Sequence, residues 1–206
     1  MSEQEYYQVS PIRVTVYMAS SNDVDEKYFH VAKELGAKIA QSGMRLVYGG
    51  GSKGLMGAVA DAVLESGGEV TGVIPTFMKE REWAHHGLTE MIEVDTMHER
   101  KTAMVAQCDA IIALPGGCGT FEELLEAITW RRLELIHKPI LIFNQDGYYD
   151  PLIALMDRAI EDGFMRPEFS EFWHIVDNAD EALKYIEYKA RGLGEYHKSP
   201  PRDLGT

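Results

Sequence analysis

The sequence has almost no cysteine. Cys108 and Cys118 are the two in 206 residues, and they show neither a disulfide framework nor a thiolate metal spacing. Two reduced thiols in a cytoplasmic protein are the simplest reading. An excess of basic charge is also missing: 20 Lys and Arg face 33 Asp and Glu, for a formal charge of −13. Non-specific binding to nucleic acid or to an anionic membrane relies on basic patches, so neither partner is expected. A small anionic ligand is still allowed, because backbone N–H groups and one or two basic side chains hold a phosphate within an acidic protein. No apolar stretch approaches the roughly 20 residues of a membrane span. Met1 to Ser10 lacks the basic start and apolar run of a signal peptide. A soluble, cytoplasmic protein is expected.

What is present suits one core. Hydrophobic residues make up 45% of the chain, and no linker, repeat or low-complexity block divides it. One domain over residues 1–206 is expected, folded from about 11 to 191, with a Gly-, Pro- and charge-rich tail over 192–206 that frays.

Short β-rich runs alternate with helical patterns. Strands are expected at Ile12–Met18, Met44–Tyr48, Glu69–Ile74, Ala110–Leu114, Pro139–Asn144 and Phe172–Val176. Helices are expected over Val24–Ser42, Gly54–Ser66, Met97–Gln107, Thr120–Leu135, Pro151–Asp162 and Asn178–Arg191, the last capped by Asn178. Pro75 to Thr96 reads as irregular. The run A-I-I-A-L at 110–114 has the pattern of a strand buried on both faces. The alternation implies an α/β fold: a doubly wound, Rossmann-like parallel sheet with helices on both faces. Ligands bind such sheets at the carboxyl ends of the strands, where two glycine-rich turns fall.

The first turn is Y-G-G-G-S-K-G-L-M-G, Tyr48 to Gly57. Its glycines, Gly50 and Gly51 among them, let a backbone approach a phosphate at a helix start. A tight strand-to-helix turn explains it equally well, and neither the Walker nor the dinucleotide pattern is matched cleanly. The second turn is P-G-G-C-G-T-F-E-E, Pro115 to Glu123. Thr120 and Glu123 are spaced as a capping box, so Glu123 reads either as a cap or as a functional carboxylate. Glu122 reads as an acid favoured by the helix dipole. A third element is M-H-E-R-K, Met97 to Lys101, whose Arg100 and Lys101 have a solvated charged face as their plainest explanation. His85 and His86 are adjacent, with Glu80 and Glu82 nearby. Neighbouring histidines do not chelate one ion from a helix, so no metal is expected, and nothing calls for a cofactor.

In this order and separation, the three elements resemble the LONELY GUY family, cytokinin riboside 5′-monophosphate phosphoribohydrolases long labelled lysine decarboxylases. The resemblance runs from about Ile12 to Ile186 and takes in A-L-P-G-G (113–117), N-Q-D-G-Y-Y (144–149) and E-D-G-F-M (161–165). No recognisable lysine context for a pyridoxal Schiff base is present. The resemblance implies that Arg100 and Glu123 are catalytic. It implies that Gly116, Gly117, Gly119 and Thr120 bind phosphate and ribose, and that Lys101, Glu122, Glu82 and Thr129 line the same site. Ser20, in M-A-S-S-N (18–22), belongs to that set, as do Gly50 and Gly51. Two positions depart from the family pattern: Cys118 stands where many members have tyrosine, and Ala19 where glycine is usual before the serines. The implied substrate is a nucleoside 5′-monophosphate, and the implied assembly a homodimer or larger.

Glycosidic cleavage passes through an oxocarbenium-like state. Glu123 is expected to stabilise that charge, kept ionised by the helix N-terminus. Arg100 is expected to hold the phosphate or support the departing base. Two alternatives stay open: a general AMP or nucleotide salvage hydrolase, and a non-catalytic nucleotide or cofactor carrier on the same fold.

Overall fold

The computed structural model describes residues 10–80 and 83–192. Glu82 lies outside them, as does the expected tail beyond Gly192. Seven strands form one parallel sheet: β1 (Arg13–Tyr17), β2 (Arg45–Tyr48), β3 (Val70–Pro75), β4 (Glu90–Val94), β5 (Ala110–Ala113), β6 (Ile140–Phe143) and β7 (His174–Val176). Their order across the sheet is β4-β3-β2-β1-β5-β6-β7. The chain builds outward from β1 to one edge, then returns to the other side of β1 with β5. That reversal is the topological switch point, where the loops after β1 and β5 diverge and leave a crevice.

The longer helices cover both faces. α1 (Glu26–Gln41), α2 (Gly54–Glu65) and α7 (Ala179–Ala190) pack one core with Val14, Val16, Ala110 and Ile112. α4 (Met97–Ala106), α5 (Cys118–Arg132) and α6 (Asp150–Glu161) pack the other with Tyr17, Ile111 and Ala113. Neighbouring residues of β5 thus enter opposite cores, so the whole run is apolar and has no exposed surface. The α/β reading of the sequence matches this architecture.

The local signals are visible at the helix ends. Asp25 caps α1, its carboxylate accepting from Lys27 N at 3.0 Å. Gly43, at φ +69°, lets α1 stop in a Schellman turn in which Met44 N donates to Ile39 O. Asn178 caps α7 as expected.

Pro75 to Thr96 differs from expectation. It holds a one-turn helix, α3 (Thr76–Lys79), and the strand β4. β4 pairs on one side only, with β3, and none of its residues is fully buried. Its E-M-I-E-V sequence is two-fifths glutamate, suits a charged edge and leaves little strand pattern to detect.

Candidate active site

The central strands β2, β1 and β5 end beneath a cavity of about 590 Å³. The loop after β1 contributes Met18, Ser20 and Ser21 to its wall, and the first glycine-rich turn Gly51, Ser52 and Lys53. α4 contributes Met97 and Arg100. The second turn and α5 contribute residues from Gly117 to Thr120, with Glu122 and Glu123.

The second turn is open. α5 begins at Cys118, with Gly117 in extended conformation as its N-cap, and no side chain closes the cap. The first N–H groups of a helix have no acceptor within it. Here they sit at the positive end of a 15-residue dipole, on the cavity wall. A methyl group added at Gly117 or Gly119 would meet no atom within 4 Å. Space for a ligand oxygen therefore lies directly over this backbone. Gly116 is different: a Cβ there would fall 2.1 Å from Thr120 Oγ1, so its glycine is needed for packing.

The expected capping box at Thr120 and Glu123 does not form. The N-cap is Gly117, three residues earlier than the spacing suggested, which puts Glu123 in the second turn, beyond reach of the N-cap. The box occurs instead on α4, where Glu99 N donates to Thr96 Oγ1 and Thr96 N donates to Glu99 Oε2. Glu123 turns inward and is 7% exposed. Burial pushes its carboxyl up to about 7, against the opposing pull of Arg100. Desolvation therefore works against the ionisation expected of Glu123 near the helix N-terminus.

Arg100 is 4% exposed, not part of a solvated face. Its Nε donates to Val73 O at 3.1 Å, and its Nη2 to Gly49 O at 3.0 Å. Its Nη1 lies 3.5 Å from Glu123 Oε1. Two backbone carbonyls thus fix the guanidinium, leaving one edge toward the carboxylate. Lys101, next on α4, is also buried and donates to Glu122 and, at 3.1 Å, to Glu126. Two adjacent cations on α4 therefore grip two adjacent carboxylates on α5, locking the helices in register.

The first turn is closed by the protein itself. Tyr48 Oη donates to Gly51 O, His85 N to Gly50 O and Ser52 N to Trp83 O. At the start of α2, Gly54 N donates to Asn22 Oδ1 and Leu55 N to Ala19 O. A Cβ at Gly49 would lie 1.7 Å from Arg100 Nη2. At Gly54, φ is +60° and a Cβ would lie 2.5 Å from Ser20 C. These two glycines serve internal packing.

The cavity brings together Ser20, Gly51, Arg100, Gly117, Gly119, Thr120, Glu122 and Glu123. Gly50 and Gly116 lie behind it, Lys101 faces Glu122 and Glu126, and Thr129 is exposed further along α5. Sequence reasoning missed Gly49 and the apolar wall of Met18, Met56, Met78, Met97 and Trp83. A faint signal existed, since Met18, Met56 and Met97 each sit inside a motif already singled out. His85 Nε2 lies 2.9 Å from Asp61 Oδ1.

The fold and the site together define a Rossmann-like α/β protein with an open helix N-terminus and a buried Arg–Glu pair in one cavity. A sequence profile described as "Possible lysine decarboxylase" matches residues 56–186. A probable cytokinin riboside 5′-monophosphate phosphoribohydrolase of Oryza sativa subsp. japonica is 48% identical over 175 residues, 85% of this chain and 71% of that one. A cytokinin riboside 5′-monophosphate phosphoribohydrolase of Rhodococcoides fascians is 47% identical over 77% of this chain and 80% of its own. The chain belongs to this family, the LONELY GUY family that its motifs resemble. Among solved structures, the molybdenum cofactor carrier protein of Chlamydomonas reinhardtii superposes with a TM-score of 0.68 at 19% identity, over 88% of this chain and 99% of that one. At that identity the likeness is one of fold.

Proposed function

We propose that the protein hydrolyses the N-glycosidic bond of purine nucleoside 5′-monophosphates, N6-modified adenine nucleotides in particular, to free base and ribose 5-phosphate. The observation that carries this reading is the buried Arg100–Glu123 pair in the same cavity as the open N-terminus of α5. Both line one cavity of about 590 Å³, and the relatives' names point the same way.

In this reading the 5′-phosphate sits on the N–H groups from Gly117 to Thr120, completed by Thr120 Oγ1 and Ser20. Gly116, Gly50 and Gly51 shape the walls, and Glu122 and Lys101 hold the site's edge. The C1′–N9 bond breaks, its electron pair goes to the base nitrogen, which takes a proton, and water adds to C1′. The Glu123 carboxylate stabilises the cationic ribose and orients the water. Arg100 is pinned beside it and supports the leaving base or the phosphate. The apolar wall of methionines and Trp83 receives the base. Because the carboxylate form acts, kcat/KM should rise with pH through about 7.

We further place the enzyme in the cytoplasm, as one nucleotide-binding domain in a homodimer or larger assembly. Among the described residues no helix is long and apolar enough to cross a membrane. Exposed Leu125 of α5 and Leu133, the residue that ends it, stand four residues either side of Thr129, an apolar stripe suited to a second copy. That copy would bring Thr129 to a shared site.

The test is chromatography of products from AMP, N6-isopentenyl-AMP and N6-isopentenyladenosine. Free base is expected from both monophosphates, faster from the isopentenyl one, and little from the nucleoside, since the phosphate's binding energy is used to distort the ribose. Equal kcat/KM for nucleotide and nucleoside would refute the phosphate assignment. Nucleotide binding without any product would refute the hydrolase.

A further inference from the structure

The segment N-Q-D-G-Y-Y, Asn144 to Tyr149, follows β6 and does not line the cavity. Its own bonding is nevertheless elaborate. Asn144 Oδ1 accepts from Tyr149 N at 2.7 Å, and its Nδ2 donates to Asp150 Oδ1 at 2.8 Å. Gly147 sits at φ +72°, where a Cβ would lie 2.5 Å from Asp150 Oδ2. Asp146, at φ +53°, adopts the left-handed conformation without being glycine and pairs with Lys27 of α1 at 3.0 Å.

This folded loop aims two adjacent tyrosines at the back of the second glycine-rich turn. Tyr148 Oη donates to Gly116 O at 2.6 Å, and Tyr149 Oη donates to Leu114 O at 2.7 Å. The rings stack edge-on at 5.2 Å, and Phe121 of α5 packs against Tyr149 at 6.1 Å. Burial pushes both phenols above their usual range, so they stay protonated donors at neutral pH.

The consequence follows from the peptide plane. In a trans peptide the carbonyl and the N–H point to opposite sides, and the described residues contain no cis bond. Anchoring Gly116 O on Tyr148 therefore aims the Gly117 N–H away from Tyr148, into the cavity that Gly117 lines. We propose that Tyr148, with Tyr149 beside it, is a positioning residue: it holds the second glycine-rich turn so that the Gly117 N–H and the first turn of α5 converge on the substrate's 5′-phosphate. The proposal rests on the phosphate site described under the proposed function. It assigns the N-Q-D-G-Y-Y motif the task of keeping a glycine backbone rigid where no side chain can.

The experiment is Tyr148→Phe, which removes the hydroxyl and keeps the half-buried ring. Ribose 5-phosphate and adenine are titrated separately into wild type and variant by calorimetry, and AMP hydrolysis is followed in parallel. Affinity for ribose 5-phosphate is expected to fall about 5- to 10-fold, the scale of one hydrogen bond. Affinity for adenine should be unchanged, and KM for AMP should rise with kcat within about 2-fold. The Gly117 amide proton, shifted downfield by ribose 5-phosphate in wild type, should lose most of that shift. Equal weakening for both ligands would mean general loosening and would overturn the proposal, as would unchanged ribose 5-phosphate affinity. If wild type itself neither binds ribose 5-phosphate nor cleaves AMP, the phosphate site fails first and takes this inference with it. If wild type does both and the variant matches it, the inference alone fails.

Discussion

The two glycine-rich turns look alike in sequence and differ in what occupies the space around them. In the first, the protein fills that space: the Arg100 guanidinium lies against Gly49, the Ser20 backbone against Gly54, and the carbonyls of residues 49 to 51 all accept bonds from the protein. In the second, nothing stands over Gly117 or Gly119. A glycine with neither a neighbour nor a left-handed φ, as at these two positions, is not required by the fold, so the reason for it lies with a ligand. The absence of a Cβ thus has two causes: admitting another part of the chain, and admitting something from outside.

That contrast can be broken by substitution. The largest effect is expected at the carboxylate between the turns. Glu123→Gln should lower kcat about 10²- to 10³-fold, the usual scale for losing a charge-stabilising group. It should also change the pH dependence of stability. The folded-state pKa of Glu123 is raised to about 7, so its contribution is complete below its ordinary value near 4.5 and is lost as pH rises through about 7. The loss is on the order of 3 kcal/mol. Thermal melts between pH 4.5 and 8 should show wild type falling relative to the variant. Parallel curves would show that burial does not govern this carboxyl.

Next comes the closed turn. Gly49→Ala sets a methyl against the guanidinium, so activity and stability should fall together: kcat/KM by about 10²-fold and unfolding free energy by about 1–3 kcal/mol. Activity assays and denaturant curves on one preparation test this, and a fully active variant would dissociate Gly49 from Arg100. The open turn should behave in the opposite way. Gly117→Ala and Gly119→Ala should raise KM for the monophosphate about 10-fold with no loss of melting temperature. Gly119→Ala, inside the first helical turn, should gain about 0.5–1 kcal/mol. Destabilisation at either position would erase the distinction between the turns.

Much of the fold was legible because most strands are buried on both faces and read as uninterrupted apolar runs. β4 was not, since an edge strand needs only one good side and here carries Glu90 and Glu93. The site's motifs were legible, but not their direction. Spacing placed Glu123 as the partner of a cap, whereas the helix starting at Cys118 turns it inward. The charged look of R-K hid two buried cations, because their partners stand 21 to 51 residues away. Glu123's protonation depends on desolvation, which belongs to the assembled cavity. The methionine wall has no period at all, being drawn from four separate segments of the chain.

The bond between Arg100 and Gly49 also sets limits on how this protein can change over generations. The two positions lie 51 residues apart, on different elements, yet neither can be altered alone without harm. Any side chain at 49 collides with the arginine, and a shorter residue at 100 leaves two buried carbonyls, of Gly49 and Val73, without their donor. A lineage that alters the chemistry of this cavity would need both changes at once, or would have to work around the pair. Variation should therefore accumulate in the apolar wall, where one methionine exchanges for another shape at small cost, while the glycine and the arginine persist as a single inherited unit.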